Sequence, residues 1–410
     1  MNSGFRNRFD FNSKNLQYKK RIVEYFILNG PDTLTTVAKE LDISVPTANK
    51  FVSELCDSGL LENYGKLETT GGRHPYLYGL SPDSCYFLGV DFTTNNIHIG
   101  LMNFTGGRVY EKMNIPFQFT NTPECLETLC SEVEKFIAEG HVPKDRIMSI
   151  GVNIIGRLNP KSGYTYTYFN FDEVPLADKL SQRFGIVTYI DNDSRACAYG
   201  EYMANFKDKG KNMLFVKVAW GLGLGIIING EPYSGKSGFS GEFGHMHTYE
   251  NEIMCHCGKK GCLETEASGS AMYRKFMQRI HEGGNSILSL DPRFQDNDMS
   301  KLRVEDLIEA TQKEDIMCIE ILEEVGEQLG MHISSLINLF NPHIVVIGGV
   351  LSATGDYLMQ PLRSAIRKYS LNMVNQDTEL KLTMLKNYAG LVGACMLARK
   401  KIIEDLVAVV

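Results

Sequence analysis

Residues 186–204 read IVTYIDNDSRACAYGEYMA: a short apolar run that passes through Asp191-Asn192-Asp193 into a segment of helix-compatible residues. A strand that feeds a helix directly, with polar groups at the junction, is the repeating unit of an α/β sheet. The junction puts Asn192 and Asp193 at the carboxyl end of a strand, which is where α/β proteins take their ligands.

Working outward, the same grammar appears on both sides. Upstream, residues 85–115 (CYFLGVDFTTNNIHIGLMNFTGGRVYEKMNI) give three β-rich runs, with Asp91 at the end of the first. Residues 123–140 have helical periodicity, residues 148–159 (MSIGVNIIGRLN) form a buried strand ending in a glycine turn, and residues 177–185 form a helix. Downstream, residues 212–233 (NMLFVKVAWGLGLGIIINGEPY) restart the pattern as strand, glycine-rich turn and strand. A helical stretch from Gly269 to Asn341, broken near Gly283 and Pro292, leads to the buried strand and Gly-Gly turn of residues 337–352. A small-residue helix, residues 388–401, closes the body. Two related lobes that enclose a ligand cleft are expected.

The first eighty residues differ. Residues 19–29 (KKRIVEYFILN) are apolar at helical spacing and stop at Gly30-Pro31. Asp32 or Thr33 can cap a second helix, and Ser44 can cap a third that carries Pro46 in its first turn. Two strand-like runs around a polar hairpin follow. Three helices and a hairpin predict a winged helix-turn-helix, whose third helix offers its N-terminal residues to base edges. Those are Ser44, Val45, Thr47, Ala48, Asn49 and Lys50, and an Asn can bond adenine at two points. Lys66, Arg73 and His74 in the hairpin suit phosphate or minor-groove contact.

Composition bounds the rest. The chain has 410 residues, a formal net charge of −7, 43% hydrophobic and 22% charged residues. That balance excludes a general nucleic-acid coat but not a local reader, since phosphate contacts depend on one face. The basic exception is the leader, where Arg6, Arg8, Lys14, Lys19, Lys20 and Arg21 face only Asp10. With no apolar run of about 18–20 residues and no apolar stretch near the N-terminus, no membrane partner is expected and a cytoplasmic location is. Seven of ten cysteines are scattered in apolar segments, as small buried hydrophobes of a reducing compartment are. The other three, Cys255, Cys257 and Cys262, stand within eight residues among glycines, the spacing of a zinc site that needs a fourth ligand. His245, His247 and His256 are near.

The segments IDNDSRACAYGE (190–201), GIIINGEPYSGKSGFSGEFGHM (225–246), CHCGKKGCLE (255–264), NPHIVVIGGV (341–350) and AGLVGACMLA (389–398) resemble, in order and spacing, the ROK family of repressors, open reading frames and sugar kinases. The resemblance covers nearly the whole chain and is of the N-acetylglucosamine- and xylose-repressor type, winged helix included. It implies an actin-like, sugar-kinase body whose lobes have ribonuclease-H-like cores. The implied domains are a winged helix over 1–80, a smaller lobe over 81–193 plus about 388–410, and a larger lobe over 194–387 with the zinc site and oligomer contacts. It also implies His245 as the fourth ligand of a structural zinc with Cys255, Cys257 and Cys262, with His256 facing away. It further implies sugar contacts from Asn192, Asp193, Glu242, His245 and Glu264. Asp193 matches the base that would take a proton from the attacking hydroxyl in the kinases, and His245 would serve both zinc and sugar.

Departures from the kinase pattern sit where the nucleotide would bind. Phosphates need close backbone N–H groups, which glycine allows, and the family's kinases carry Asp-x-Gly-Gly-Thr after the first strand and Gly-Thr-Gly later. This chain has Asp91-Phe92-Thr93-Thr94-Asn95 and Ala219-Trp220-Gly221. The sugar half is retained and the nucleotide half altered, with Asp193 left as a vestigial base and no catalytic residue. A sugar-responsive DNA-binding regulator of carbohydrate-utilisation genes is expected, a repressor acting on operator DNA as a homodimer or homotetramer. An ATP-dependent sugar kinase is the alternative.

Overall fold

The computed structural model describes residues 13–67, 74–93, 95–171, 173–207, 210–293 and 301–408. Arg73, Thr94 and the leader up to residue 12 lie outside the described residues. The chain divides into two compact units, one of Met1–Ala196, Phe206–Lys209 and Gly390–Val410, the other of Cys197–Asn205 and Gly210–Ala389.

The first unit opens with α1 (Ser13–Asn29), β1 (Asp32–Thr33), α2 (Leu34–Glu40), α3 (Val45–Asp57), β2 (Leu61–Lys66) and β3 (Tyr76–Leu80). The strands form an antiparallel sheet in the order β1-β3-β2, the layout of a winged helix. Thr33 caps α2 by accepting from the Thr36 amide, and Ser44 caps α3 by accepting from the Thr47 amide, each cap stabilising its helix by about 1 kcal/mol. Ile22, Phe26, Val37, Ala48, Phe51, Val52 and Leu55 are buried beneath the sheet and helices. Two expectations change here. Ala48 does not face DNA, because it lies on the same helical face as Phe51, Val52 and Leu55. Lys19 is buried and paired with Glu54 at 2.9 Å, so it ties α1 to α3 instead of serving phosphate.

The remainder of this unit carries β4 (Tyr86–Phe92), β5 (Asn96–Asn103), β6 (Arg108–Pro116), α4 (Pro123–Ala138), β7 (Ile147–Ile154), the short β8 (Leu158–Asn159) and β9 (Tyr164–Thr165), α5 (Leu176–Phe184) and β10 (Thr188–Asn192). Helix α6 (Asp193–Asn205) begins in the first unit and runs into the second. The sheet order is β10-β7-β4-β5-β6, parallel across β10, β7 and β4 and antiparallel beyond. Every residue of β4 and β7 is buried, as a central strand covered on both faces requires.

The second unit contains β11 (Met213–Val218), β12 (Leu222–Ile228), β13 (Glu231–Pro232), α7 (Gly269–His281), α8 (Val304–Gln312), α9 (Ile316–Phe340), β14 (Ile344–Gly348), α10 (Asp356–Tyr369), α11 (Asn372–Asp377) and β15 (Glu379–Leu382). Its sheet runs β13-β12-β11-β14-β15, again with one antiparallel meander followed by parallel strands. In chain order each sheet is 3-2-1-4-5, so the repeated grammar in the sequence is a repeated fold. Helix α12 (Ala389–Ala408) returns to the first unit from Gly390 onward. Its small residues let it lie directly on neighbouring backbone: a Cβ on Gly393 would stand 1.9 Å from the Ala196 carbonyl oxygen. Among the described residues no helix is long and apolar enough to cross a membrane.

Candidate metal centre and ligand site

In the second unit, Gly241-Glu242 leads from the β-meander into a short turn over Phe243–His245, and Cys262 precedes another over Leu263–Thr265. The segment between them is closed by backbone bonds. The Cys255 amide donates to Lys259 O (2.8 Å), the Gly258 amide to Cys255 O (2.9 Å) and the Thr248 amide to Gly261 O (2.8 Å). Gly261 has φ +72°, and a Cβ there would lie 2.0 Å from Tyr249 O. Only glycine fits both demands.

This loop brings one ligand atom from each of His245, Cys255, Cys257 and Cys262 within 4.8 Å of one another. The Cys257 and Cys262 sulfurs are 3.6 Å apart, and Cys255 Sγ is 3.6 Å from His245 Nδ1. Bonds of about 2.3 Å to sulfur and 2.0 Å to nitrogen give a tetrahedron with edges of roughly 3.5–3.8 Å. The donor set therefore fits a metal ion. Burial raises the Cys257 thiol, but the Lys259 amide and the neighbouring Cys255 and Cys262 outweigh it and hold Cys257 below the usual range. Burial raises Cys255 and Cys262 instead, and among the scattered cysteines it pushes Cys130 up to about 11 and raises Cys318 and Cys395 further, as expected of thiols held in apolar surroundings.

His245 presents Nδ1 to the thiols, while its Nε2 stands 3.8 Å from Glu242 Oε2. Glu242 is exposed and His245 half-buried. Glu264 is buried, with Oε2 accepting from the Leu222 amide (2.8 Å) and Oε1 facing His256 Nδ1 (2.7 Å). Burial would raise its pKa, but the bonds from His256 and Leu222 more than offset this and lower it. His256 lies outside the four-residue set, its ring largely exposed and its Nδ1 turned to Glu264. The turn over residues 255–258 brings His256 to Glu264, a contact that sequence reasoning missed.

In the first unit, Asn192 and Asp193 stand at the β10–α6 junction. Asn192 Oδ1 accepts from the Ser194 (3.0 Å) and Arg195 (3.2 Å) amides, which makes it the cap of α6. Its Nδ2 donates to Gly156 O (3.2 Å) and Asp193 Oδ1 (3.1 Å). Asp91, at the end of β4, is buried and accepts from Asn153 Nδ2 at 2.8 Å. Thr93 bonds the Asn96 carbonyl through both its amide (2.9 Å) and its hydroxyl (3.1 Å), closing the turn where the kinase pattern has glycine. In the second unit Trp220 is 47% exposed and packs on Tyr273, its ring centroid 5.6 Å away. Its carbonyl and that of Ala219 accept from the Ser270 and Gly269 amides at the start of α7.

At the tip of α3, Val45, Asn49 and Lys50 are exposed. The Ser44 hydroxyl caps the helix and meets the Thr47 hydroxyl (2.7 Å), and Asn49 and Lys50 are exposed beside them. In the hairpin, Lys66 lies over the Tyr76 ring and His74 Nδ1 is 3.2 Å from Leu67 O.

Comparison with known proteins gives the kinship. A xylose repressor of Caldicellulosiruptor bescii is 28% identical over 361 residues, 88% of this chain and 89% of its own length. A glucokinase of Halalkalibacterium halodurans is 30% identical over 320 residues, 77% of this chain and 96% of its own. Among solved structures, a ROK family transcriptional regulator, a homologue of the E. coli MLC protein, has a TM-score of 0.79 at 24% identity, covering 96% of this chain and 98% of that one. The ROK family profile matches residues 87–401, and the chain belongs to the ROK family.

Proposed function

We propose that this protein is a sugar-responsive, DNA-binding transcription repressor whose ROK body binds a sugar or sugar derivative without phosphorylating it. The observation that carries the reading is a winged helix, with Asn49 and Lys50 exposed at the front of its capped third helix, on the same chain as a ROK body. The likeness to a xylose repressor covers 88% of the chain, whereas the glucokinase likeness covers 77%. In this reading Asn192, Asp193, Glu242, His245 and Glu264 address sugar hydroxyls, and Asp193 is a vestigial base. The metal is a structural zinc held by His245, Cys255, Cys257 and Cys262, with all four positions filled by protein. It orients the His245 ring so that Nε2 stays on the Glu242 side. Ser44, Val45, Thr47, Asn49 and Lys50, with Arg73, form the DNA contact, and a homodimer or homotetramer supplies paired winged helices for two half-sites. A sugar switches the protein only through different affinities for its two states, about 10–100-fold for a useful response.

A sugar kinase is the second reading, favoured by the glucokinase relative and by the carboxyl group of Asp193. A coupled ADP-release assay over xylose, glucose, mannose and N-acetylglucosamine separates the two. The repressor reading expects no sugar-dependent turnover; turnover abolished by Asp193→Asn would establish the kinase.

A further inference from the structure

We propose that His256 is a positioning residue of the ligand site: it holds the Glu264 carboxylate in the orientation in which that group meets a sugar hydroxyl. The inference rests on the sugar-binding reading above and adds a residue to it. Glu264 is buried and anchored at two points from different parts of the chain. Oε2 accepts from the Leu222 amide at the start of β12 (2.8 Å), and Oε1 faces His256 Nδ1 in the thiol-bearing loop (2.7 Å). The lone hydrogen of Gly221 leaves space for this carboxylate, since a Cβ there would stand 2.6 Å from Oε2.

Two anchors on one carboxylate fix its rotation and leave a defined lone-pair direction on each oxygen. A hydroxyl in the matching orientation is accepted, and its epimer is not. Oε1 also lies 3.7 Å from Cys255 Sγ, and His256 stands between that sulfur and an unopposed carboxylate. That sulfur is a thiolate whenever a metal is bound, and two anions repel. Without His256 the carboxylate would turn away and its bond to Leu222 would loosen. The hold needs only an N–H on Nδ1, which both the neutral tautomer and the charged ring can supply.

His256 is separate from the metal set. Its Nδ1 lies 2.7 Å from Glu264 but 3.9 Å from Cys255 Sγ, whereas His245 Nδ1 is the nearer imidazole nitrogen to that sulfur, at 3.6 Å. The two rings pack edge to face with centroids 5.0 Å apart. One imidazole faces the thiols and the other steadies the carboxylate, which links the metal loop to the ligand side.

The test uses full-length wild type, His256→Ala and His256→Asn, the last because an Asn amide can replace the ring N–H. Three quantities are read: zinc per chain, hydrogen exchange of the Leu222 amide without sugar, and affinity for xylose, glucose, mannose and N-acetylglucosamine. The expected result is one zinc per chain throughout. His256→Ala exchanges Leu222 about tenfold faster and binds the preferred sugar about tenfold more weakly, and His256→Asn recovers most of both. Loss of zinc in His256→Ala would make His256 a metal ligand and overturn the proposal. Unchanged Leu222 exchange, or unchanged affinity, would overturn it equally. A wild type that binds none of the sugars contradicts the sugar-binding reading itself, which the exchange measurement separates from a failure of His256 to hold Glu264.

Discussion

Gly261 and Cys262 show how much one residue decides. With φ at +72° and Tyr249 O only 2.0 Å from where a Cβ would sit, Gly261→Ala must move the loop that carries the thiols. We expect a loss of roughly 2–4 kcal/mol in unfolding free energy and less than half an equivalent of zinc after purification. Cys262→Ser should lose the metal with smaller effect on the apo fold; zinc analysis beside thermal unfolding separates the two. The three cysteines were legible from spacing alone. His245 was not, because three histidines lie near and only resemblance chose among them. The contact between His256 and Glu264 was invisible, since it depends on a turn that brings together residues eight apart and on a slot opened by Gly221.

The junction of β10 and α6 is where an element joins stability to function. Asp191, at the strand end, is buried between Arg195 Nε (2.6 Å) and Lys401 Nζ (3.0 Å). Burial raises its pKa, but these two cations outweigh it and hold the carboxyl below its ordinary value. A carboxylate with a depressed folded pKa contributes stability that is present above the unfolded value near 4 and is lost as pH falls through the folded pKa. Thermal midpoints measured from pH 7 to pH 3 should therefore fall steeply below about pH 4. Asp191→Asn should be destabilised at pH 7 by about 3–5 kcal/mol, because it leaves the buried Arg195 and the half-buried Lys401 uncompensated, and should show a shallower acid decline. Equal acid slopes would contradict this account of the junction. The strand and helix were readable from the apolar run and the small residues that follow. The double duty of Asn192 was not: its side chain caps α6, and a cap is a matter of geometry that Asn-Asp in a sequence leaves open. The long helical stretch after Gly269 does break after His281, where Gly283 and Pro292 announced it, but it breaks again at residues 313–315, between α8 and α9, which periodicity did not report.

At the scale of the whole molecule, the alternation of strands and helices announced an α/β body, and the restart at residue 212 announced its repetition. Identical 3-2-1-4-5 sheet orders in the two units bear that out. The basic leader was less informative than its charge suggested, since Lys19 is internal and pairs with Glu54. If DNA binding runs through α3, Asn49→Ala should relax sequence preference at one base pair and cost about 1–3 kcal/mol on the best site. Lys50→Ala should weaken all sequences alike and lower the salt slope by about one. The central claim is that sugar occupancy of the body changes DNA affinity. Its most direct measurement is a fluorescence anisotropy titration of the full-length protein. The duplex is one enriched by selection from random sequence, titrated with and without each of the four sugars. We predict salt-dependent, sequence-preferring binding that one sugar weakens about 10–100-fold. DNA affinity indifferent to every sugar, with sugar-dependent ADP release from ATP in the same preparation, would contradict it.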